Sequence, residues 1–107
     1  MTKVIERREN EVTDFIIDGH AEKVNSDEGN ILCAAVSMLG QTLLECLWRM
    51  DANVRTESRD GHIEVRFYPD DENSEEIENL LKFTKTGFCL LKSRYPEQFD
   101  LVGDFEF

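Results

Sequence analysis

The alternation of apolar and polar positions predicts four β-strands in two hairpins. The first hairpin begins at Val4 and Ile5, and its second strand runs from Val12 to Asp18. The second hairpin joins residues 53–58 to residues 62–68, because an Asp-Gly turn between two alternating runs is a strong hairpin signal. Hairpins pair antiparallel, so we expect a four-stranded, mostly antiparallel sheet. The inward positions of the last strand are predicted to be Ile63, Val65 and Phe67.

Residues 30–50 are predicted to form a first helix, because apolar residues recur there every three or four positions. The residues assigned to one face are Ile31, Ala35, Met38, Leu39, Thr42, Leu43, Cys46, Leu47 and Met50. The opposite face is also apolar and carries Val36, Leu44 and Trp48. A helix that is apolar most of the way round is buried on more than one side. We therefore expect the sheet on one side and a second copy or a partner on the other, the alternative being the second helix of the same chain.

A second helix is predicted after an acidic segment, with Asn73 or Ser74 as its cap and Pro96 at its end. Its apolar stripe consists of Ile77, Leu80, Leu81, Thr84, Phe88, Leu91 and Tyr95. The order ββαββα predicts an α+β two-layer sandwich, a single domain over residues 1–107. The apolar tail, with Leu101, Phe105 and Phe107, should dock on the domain or on a partner.

The composition restricts the partners and the compartment. The chain has 12 Lys and Arg against 23 Asp and Glu, a net charge of −11. This acidity argues against direct binding of nucleic acid or an anionic membrane and is compatible with a basic protein partner. No apolar run approaches 18 residues and no signal peptide begins the chain, so we expect a cytoplasmic protein without a transmembrane helix. Three cysteines without a CxxC pair indicate reduced thiols, and a metal site has little support.

Cys33 is the candidate for thiol chemistry. With Gly29 freeing the backbone and Asn30 as N-cap, Cys33 would be the third residue of the first helix. Unpaired backbone N–H groups at the positive end of the helix dipole would then stabilise a thiolate. Cys46 and Cys89 fall within helices and are interpreted as small apolar residues.

His20 follows the second strand and opens a polar loop, from which its imidazole could reach the Cys33 thiol. Such a pair is the minimum for nucleophilic thiol catalysis. Ser37 lies one helical turn after Cys33 and could orient a catalytic group. The alternative is a buried cysteine and a surface histidine without chemistry; His62, beside the hairpin turn, is expected to be exposed.

Two short motifs, "GHA" at 19–21 and "GNILCAAVS" at 29–37, resemble the bacterial ribosomal-processing cysteine protease family, often called Prp. Chain length, element order and "YPE" at 95–97 agree with that family. The resemblance implies that Cys33 is the nucleophile and His20 the base. It further implies a homodimeric endopeptidase that needs no cofactor and removes the N-terminal extension of large-subunit ribosomal protein L twenty-seven.

The resemblance also assigns a role to the loop of residues 22–30, including Glu22, Val24 and Gly29, which would cover the bound peptide. Asn30 stands where the family pattern has aspartate, and an asparagine hydrogen-bonds without carrying charge. This difference leaves a second hypothesis open, a catalytically weak dimeric module that binds a ribosomal protein. A thiol redox sensor is a third hypothesis, but no resolving cysteine lies nearby in the sequence.

Overall fold

The computed structural model describes residues 2–19, 27–68 and 72–105. The elements in chain order are β1 (Thr2–Glu9), β2 (Val12–Asp18), α1 (Asp27–Arg49), β3 (Val54–Arg59), β4 (His62–Phe67), α2 (Ser74–Arg94) and β5 (Phe99–Val102). The strands form one sheet in the order β3-β4-β2-β1-β5. Both helices contribute to one hydrophobic cluster on a single face of this sheet, which confirms the predicted α+β class.

The sheet has five strands, so the prediction of four was wrong. The additional strand, β5, pairs parallel to β1, with Thr2 opposite Phe99. The predicted tail docking thus takes the form of a strand, because Phe99 is fully buried and β5 completes the edge beside β1. Beyond β5, the Phe105 carbonyl accepts a hydrogen bond from Cys89 on α2 at 3.7 Å. Phe107 lies outside the described residues.

Both hairpins are present in the sheet. The β1–β2 turn places Asn10 and Glu11 at positive φ, and Gly61 has φ 75° in the β3–β4 turn. The predicted inward residues of β4, Ile63, Val65 and Phe67, are all buried. The first strand is longer than its two apolar residues suggest, because β1 pairs with β2 over its whole polar second half.

The buried stripe of helix α1 differs from both of the apolar faces grouped from the sequence. Its buried residues are Leu32, Val36, Gly40, Leu43 and Leu47. Ile31 and Met38, which the sequence grouped on one face with Leu43 and Leu47, are 57% and 68% exposed. The prediction failed because an all-round apolar helix has no single periodic face to read. The segment Ile31–Arg49 is long and apolar enough to cross a membrane, whereas the sequence analysis expected no such helix. In this structure its buried stripe packs on the sheet.

Helix α2 follows the predicted stripe. Ile77, Leu81 and Phe88 are buried, and the helix ends before Pro96. The Phe88 ring lies 6.1 Å from Phe15 of β2 and 5.8 Å from Phe99 of β5, so it links the helix to the centre and the edge of the sheet. Asn73 occupies the N-cap position, but its side chain donates to the Met50 carbonyl instead of capping α2.

Candidate active site

Cys33 lies near the beginning of α1 and is half-buried. Because α1 begins at Asp27, Cys33 is the seventh helical residue and Asn30 lies within the first turn. The prediction of Asn30 as N-cap was therefore wrong. Only the first four N–H groups of a helix lack an intrahelical acceptor, so the amides around Cys33 are paired within the helix. The sequence predicted unpaired backbone N–H groups next to the Cys33 sulfur. That prediction was wrong, because Cys33 lies beyond the first turn of α1.

A cleft of about 330 Å³ opens between α1 and the tip of the β3–β4 hairpin. Helix α1 contributes Cys33, Val36, Ser37 and Gln41 to its lining; the strands and the turn contribute Thr2, Ile17, Gly19, Ser58, Arg59, Asp60, Gly61, His62 and Ile63. This volume lies at the lower end of the range for ligand pockets. The structure thus places the predicted nucleophile and the predicted supporting Ser37 in one cavity.

Gly40 sets the distance between α1 and the sheet beside this cleft. A Cβ atom at this position would lie 2.7 Å from Cδ1 of Ile63 and 3.1 Å from Cδ1 of Ile17. The absence of a side chain lets α1 approach β2 and β4 at the level of the cleft floor. Cys33 and Ser37 are held on a helix that lies directly against the strands.

The end of β2 is fixed against the hairpin tip. Gly19, at φ 99°, donates its N–H to the Gly61 carbonyl at 2.9 Å. Gly19 is the last described residue before His20, and it lines the same cleft as Gly61. His20, Glu22 and Val24 lie outside the described residues, and Gly29 and Asn30 belong to the first turn of α1. The pairing of His20 with Cys33 stays a prediction.

The side chain of His62 is less exposed than predicted. Its side chain is 14% exposed, and its Nδ1 lies 3.0 Å from Oδ1 of Asp18 while Nε2 lies 3.4 Å from Oε2 of Glu64. The hydrogen bond with Asp18 raises the pKa of His62, and the same bond lowers the pKa of Asp18. The expected exposure was wrong because Asp18 becomes its neighbour only when β2 pairs with β4.

Among the described residues, Glu57, His62 and Glu64 bring three potential metal-ligand atoms within 4.8 Å of one another. Both ring nitrogens of His62 already contact carboxylates. The side chains of His62 and Glu64 alternate with the buried Ile63 and Val65, so they point to the sheet face opposite the helices, and His62 meets the cleft only at the end of β4. We therefore assign this group an electrostatic role and no metal.

A half-buried thiol in a cleft on an α+β scaffold is the arrangement that a thiol enzyme needs. The chain belongs to the family of cysteine protease Prp, which matches residues 1–100. It is therefore a cysteine protease.

Solved structures share this fold. A ribosomal processing protease Prp from S. aureus, in complex with a covalently linked product peptide, is 22% identical with a TM-score of 0.78. A second structure of that protease, in complex with a substrate peptide, is 21% identical with the same TM-score; each covers 96% of this chain and 100% of the other. SMU.848 from Streptococcus mutans is 20% identical, with a TM-score of 0.69 and 96% of each chain covered. No curated protein sequence matches the chain.

Proposed function

We propose that this protease removes the N-terminal extension of ribosomal protein L twenty-seven during ribosome assembly in the cytoplasm. The observation that carries the proposal is the position of Cys33 in the cleft of a Prp-family chain. The S. aureus relative, described as a ribosomal processing protease, was solved with substrate and product peptides, which supports a peptide substrate here.

In the proposed mechanism, His20 takes the proton from the Cys33 thiol and the thiolate attacks the scissile carbonyl carbon. The tetrahedral intermediate collapses to a thioester as the C–N bond breaks, and His20 protonates the leaving amine. Water then attacks the thioester, releases the carboxylate product and restores the thiol. In this proposal the hydroxyl of Ser37, one turn from Cys33 on the same cleft wall, orients a catalytic group or the substrate. No cofactor or metal enters these steps.

The net charge of −11 supports a basic protein substrate. Opposite net charges accelerate diffusional encounter, and this effect weakens as salt screens it. The same charge disfavours nucleic acid or an anionic membrane as a direct partner.

We also propose that the protein is a homodimer. The large apolar side chains on the outward surface of the helical layer are Ile31, Met38, Phe83 and Leu90, all more than half exposed. Exposed apolar groups at this density are characteristic of interaction surfaces. We call these four residues the helical patch.

The test is cleavage of a peptide that spans the L twenty-seven extension and its junction, followed by mass spectrometry. The wild type should release one amino-terminal fragment, and Cys33→Ala should release none, whereas Cys46→Ala should cut normally. Equal cleavage by Cys33→Ala would remove the catalytic assignment. An intact peptide that nevertheless binds tightly would favour the alternative, a binding module in which the uncharged Asn30 has replaced the family aspartate.

A further inference from the structure

The wall of the cleft continues along α1 well beyond Cys33. Cys33, Ser37, Gln41, Leu44 and Trp48 recur every three or four residues, so they lie on one side of the helix. The first three line the cleft already described, and the last three line a second depression of about 390 Å³. Gln41 lines both cavities, so the two adjoin along α1, and we call them together the groove.

Strand β3 forms the floor of this groove. Val54 and Thr56 line the second depression, and Ser58 lines the first. Their cross-strand partners on β4 are Phe67, Val65 and Ile63, which are all buried. The three floor side chains therefore point to the helical side of the sheet, toward α1.

The outer edge of β3 is able to accept another strand. β3 is at the end of the strand order among the described residues and pairs there with β4 alone. Arg59 and His62 flank a two-residue turn, which makes them a hydrogen-bonded pair, and the pattern alternates along the ladder. We therefore expect the backbone N–H and C=O groups of Thr56 and Ser58 to point away from β4. Val54 agrees with this pattern, because its N–H donates to the Ala52 carbonyl.

We propose that the substrate peptide runs along this groove as an added strand beside β3, with a large apolar side chain held against Leu44, Trp48 and Val54. The inference rests on the proposed function and specifies how that substrate is bound. Fifteen residues of helix separate Cys33 from Trp48, about 22 Å at 1.5 Å per residue. An extended peptide covers this length with about six or seven residues at 3.3 Å each. A peptide is favoured as the occupant because the second depression adjoins the cavity of the predicted nucleophile.

Trp48 provides a direct readout, because it is the only tryptophan in the sequence and is 77% exposed. In the Cys33→Ala variant, the fluorescein-labelled extension peptide should bind with a rise in anisotropy. The unlabelled peptide should shift the Trp48 emission to shorter wavelength with the same dissociation constant. Peptide binding without any change in Trp48 emission would overturn the groove assignment while leaving the protease proposal intact. Absence of an anisotropy change would overturn both. An emission shift that follows protein concentration alone would assign the groove to a second copy.

Variants give a second, kinetic test. Trp48→Ala should lower kcat/KM for the long peptide by at least about tenfold, as expected for loss of a buried aromatic contact. A peptide cut short by four residues on the groove side of the scissile bond should no longer distinguish Trp48→Ala from the wild type. Val102→Ala, on the opposite edge of the sheet, is the control and should leave both values unchanged. If peptides shortened at either end remain sensitive to Trp48→Ala, the assignment is wrong.

Discussion

At the scale of single residues, the pairing of β2 with β4 brings together Asp18 and His62, which lie far apart in the sequence. Asp18 ends β2 and His62 begins β4, 44 positions later, and the two are directly paired. Asp18 lies two residues before the predicted base, His20. The electrostatic contact thus helps to fix the end of β2, the last described strand before His20.

The pKa directions of this pair predict a bounded pH range of stabilisation. The raised pKa of His62 means that its contribution is complete below its unfolded value of about 6.5 and is lost as pH rises through the folded value. The lowered pKa of Asp18 means that its contribution is lost as pH falls through its own folded value. The difference in free energy of unfolding between wild type and His62→Gln should therefore be largest in mildly acidic solution and should shrink toward alkaline pH. Urea unfolding across this range measures it, and a constant difference would contradict the assignment.

Lys85 and Glu6 form the buried ion pair of the described core. The Lys85 Nζ lies 2.6 Å from Oε2 of Glu6 and donates to the Asp104 carbonyl at 3.0 Å, and both side chains are at most 5% exposed. Lys85→Met should destabilise the fold by about 3 kcal/mol or more, because it removes the main partner of a buried carboxylate.

The control for this prediction is Arg49→Met, which breaks the exposed pair with Glu45. That substitution should cost less than about 1 kcal/mol. Chemical denaturation of the wild type and the two variants measures both losses in the free energy of unfolding. Equal, small losses in the two variants would show that Glu6 does not depend on Lys85.

At the scale of elements, the predictions held where local chemistry determines the structure. The Asp60-Gly61 turn, the alternation of β4 and the stripe of α2 were read correctly, because each is encoded by residues close in sequence. The beginning of α1 was misplaced because Gly29 and Asn30 resemble a cap, whereas the acidic residue types at 27 and 28 also favour a first helical turn. β5 was missed because a four-residue parallel strand is recognisable only once β1 lies beside it.

The placement of two predicted site residues in the cleft was predictable from the sequence, and most of the cleft lining was not. Cys33 was singled out by its expected place near the beginning of α1, and Ser37 by lying one helical turn later; both line the cleft. Arg59 and Gly19 were not assigned to it, because they come from separate strand ends that only the sheet brings together. The depression beside Trp48 could not be predicted either. Because α1 is apolar on both faces, its sequence does not distinguish residues that line a cavity from residues that pack in the core.

Gly103 controls how the chain leaves β5. It has φ 111°, and a Cβ atom there would lie 2.2 Å from the carbonyl oxygen of Glu6. Gly103→Ala should lower the free energy of unfolding by about 2 kcal/mol or more, because the strained backbone and the clash with β1 both oppose it. The neighbouring Val102→Ala should have a much smaller effect. A thermal midpoint unchanged by Gly103→Ala would contradict the observed packing of β5.

At the scale of the whole molecule, the helical patch and the active-site groove lie on different sides of α1. Ile31 and Met38 are outward, whereas Cys33 and Trp48 border the groove next to β3. Dimerisation through the patch is therefore compatible with substrate access.

Sedimentation equilibrium of Phe83→Asp tests this arrangement. A charge in an apolar interface should weaken self-association by at least about tenfold, with the far-ultraviolet circular dichroism spectrum unchanged. Ser93→Asp, an exposed position near the end of the same helix, is the matched control for charge. A Phe83→Asp variant that stays fully dimeric would exclude the helical patch as the interface.

The most direct test of the central claim is covalent labelling by a substrate-derived peptide with a chloromethyl ketone in place of the scissile bond. Intact-protein mass spectrometry should find one adduct per chain, and peptide mapping should locate it on Cys33. Adducts distributed over Cys33, Cys46 and Cys89, or continued cleavage after Cys33 alone is modified, would contradict the assignment of Cys33 as the nucleophile.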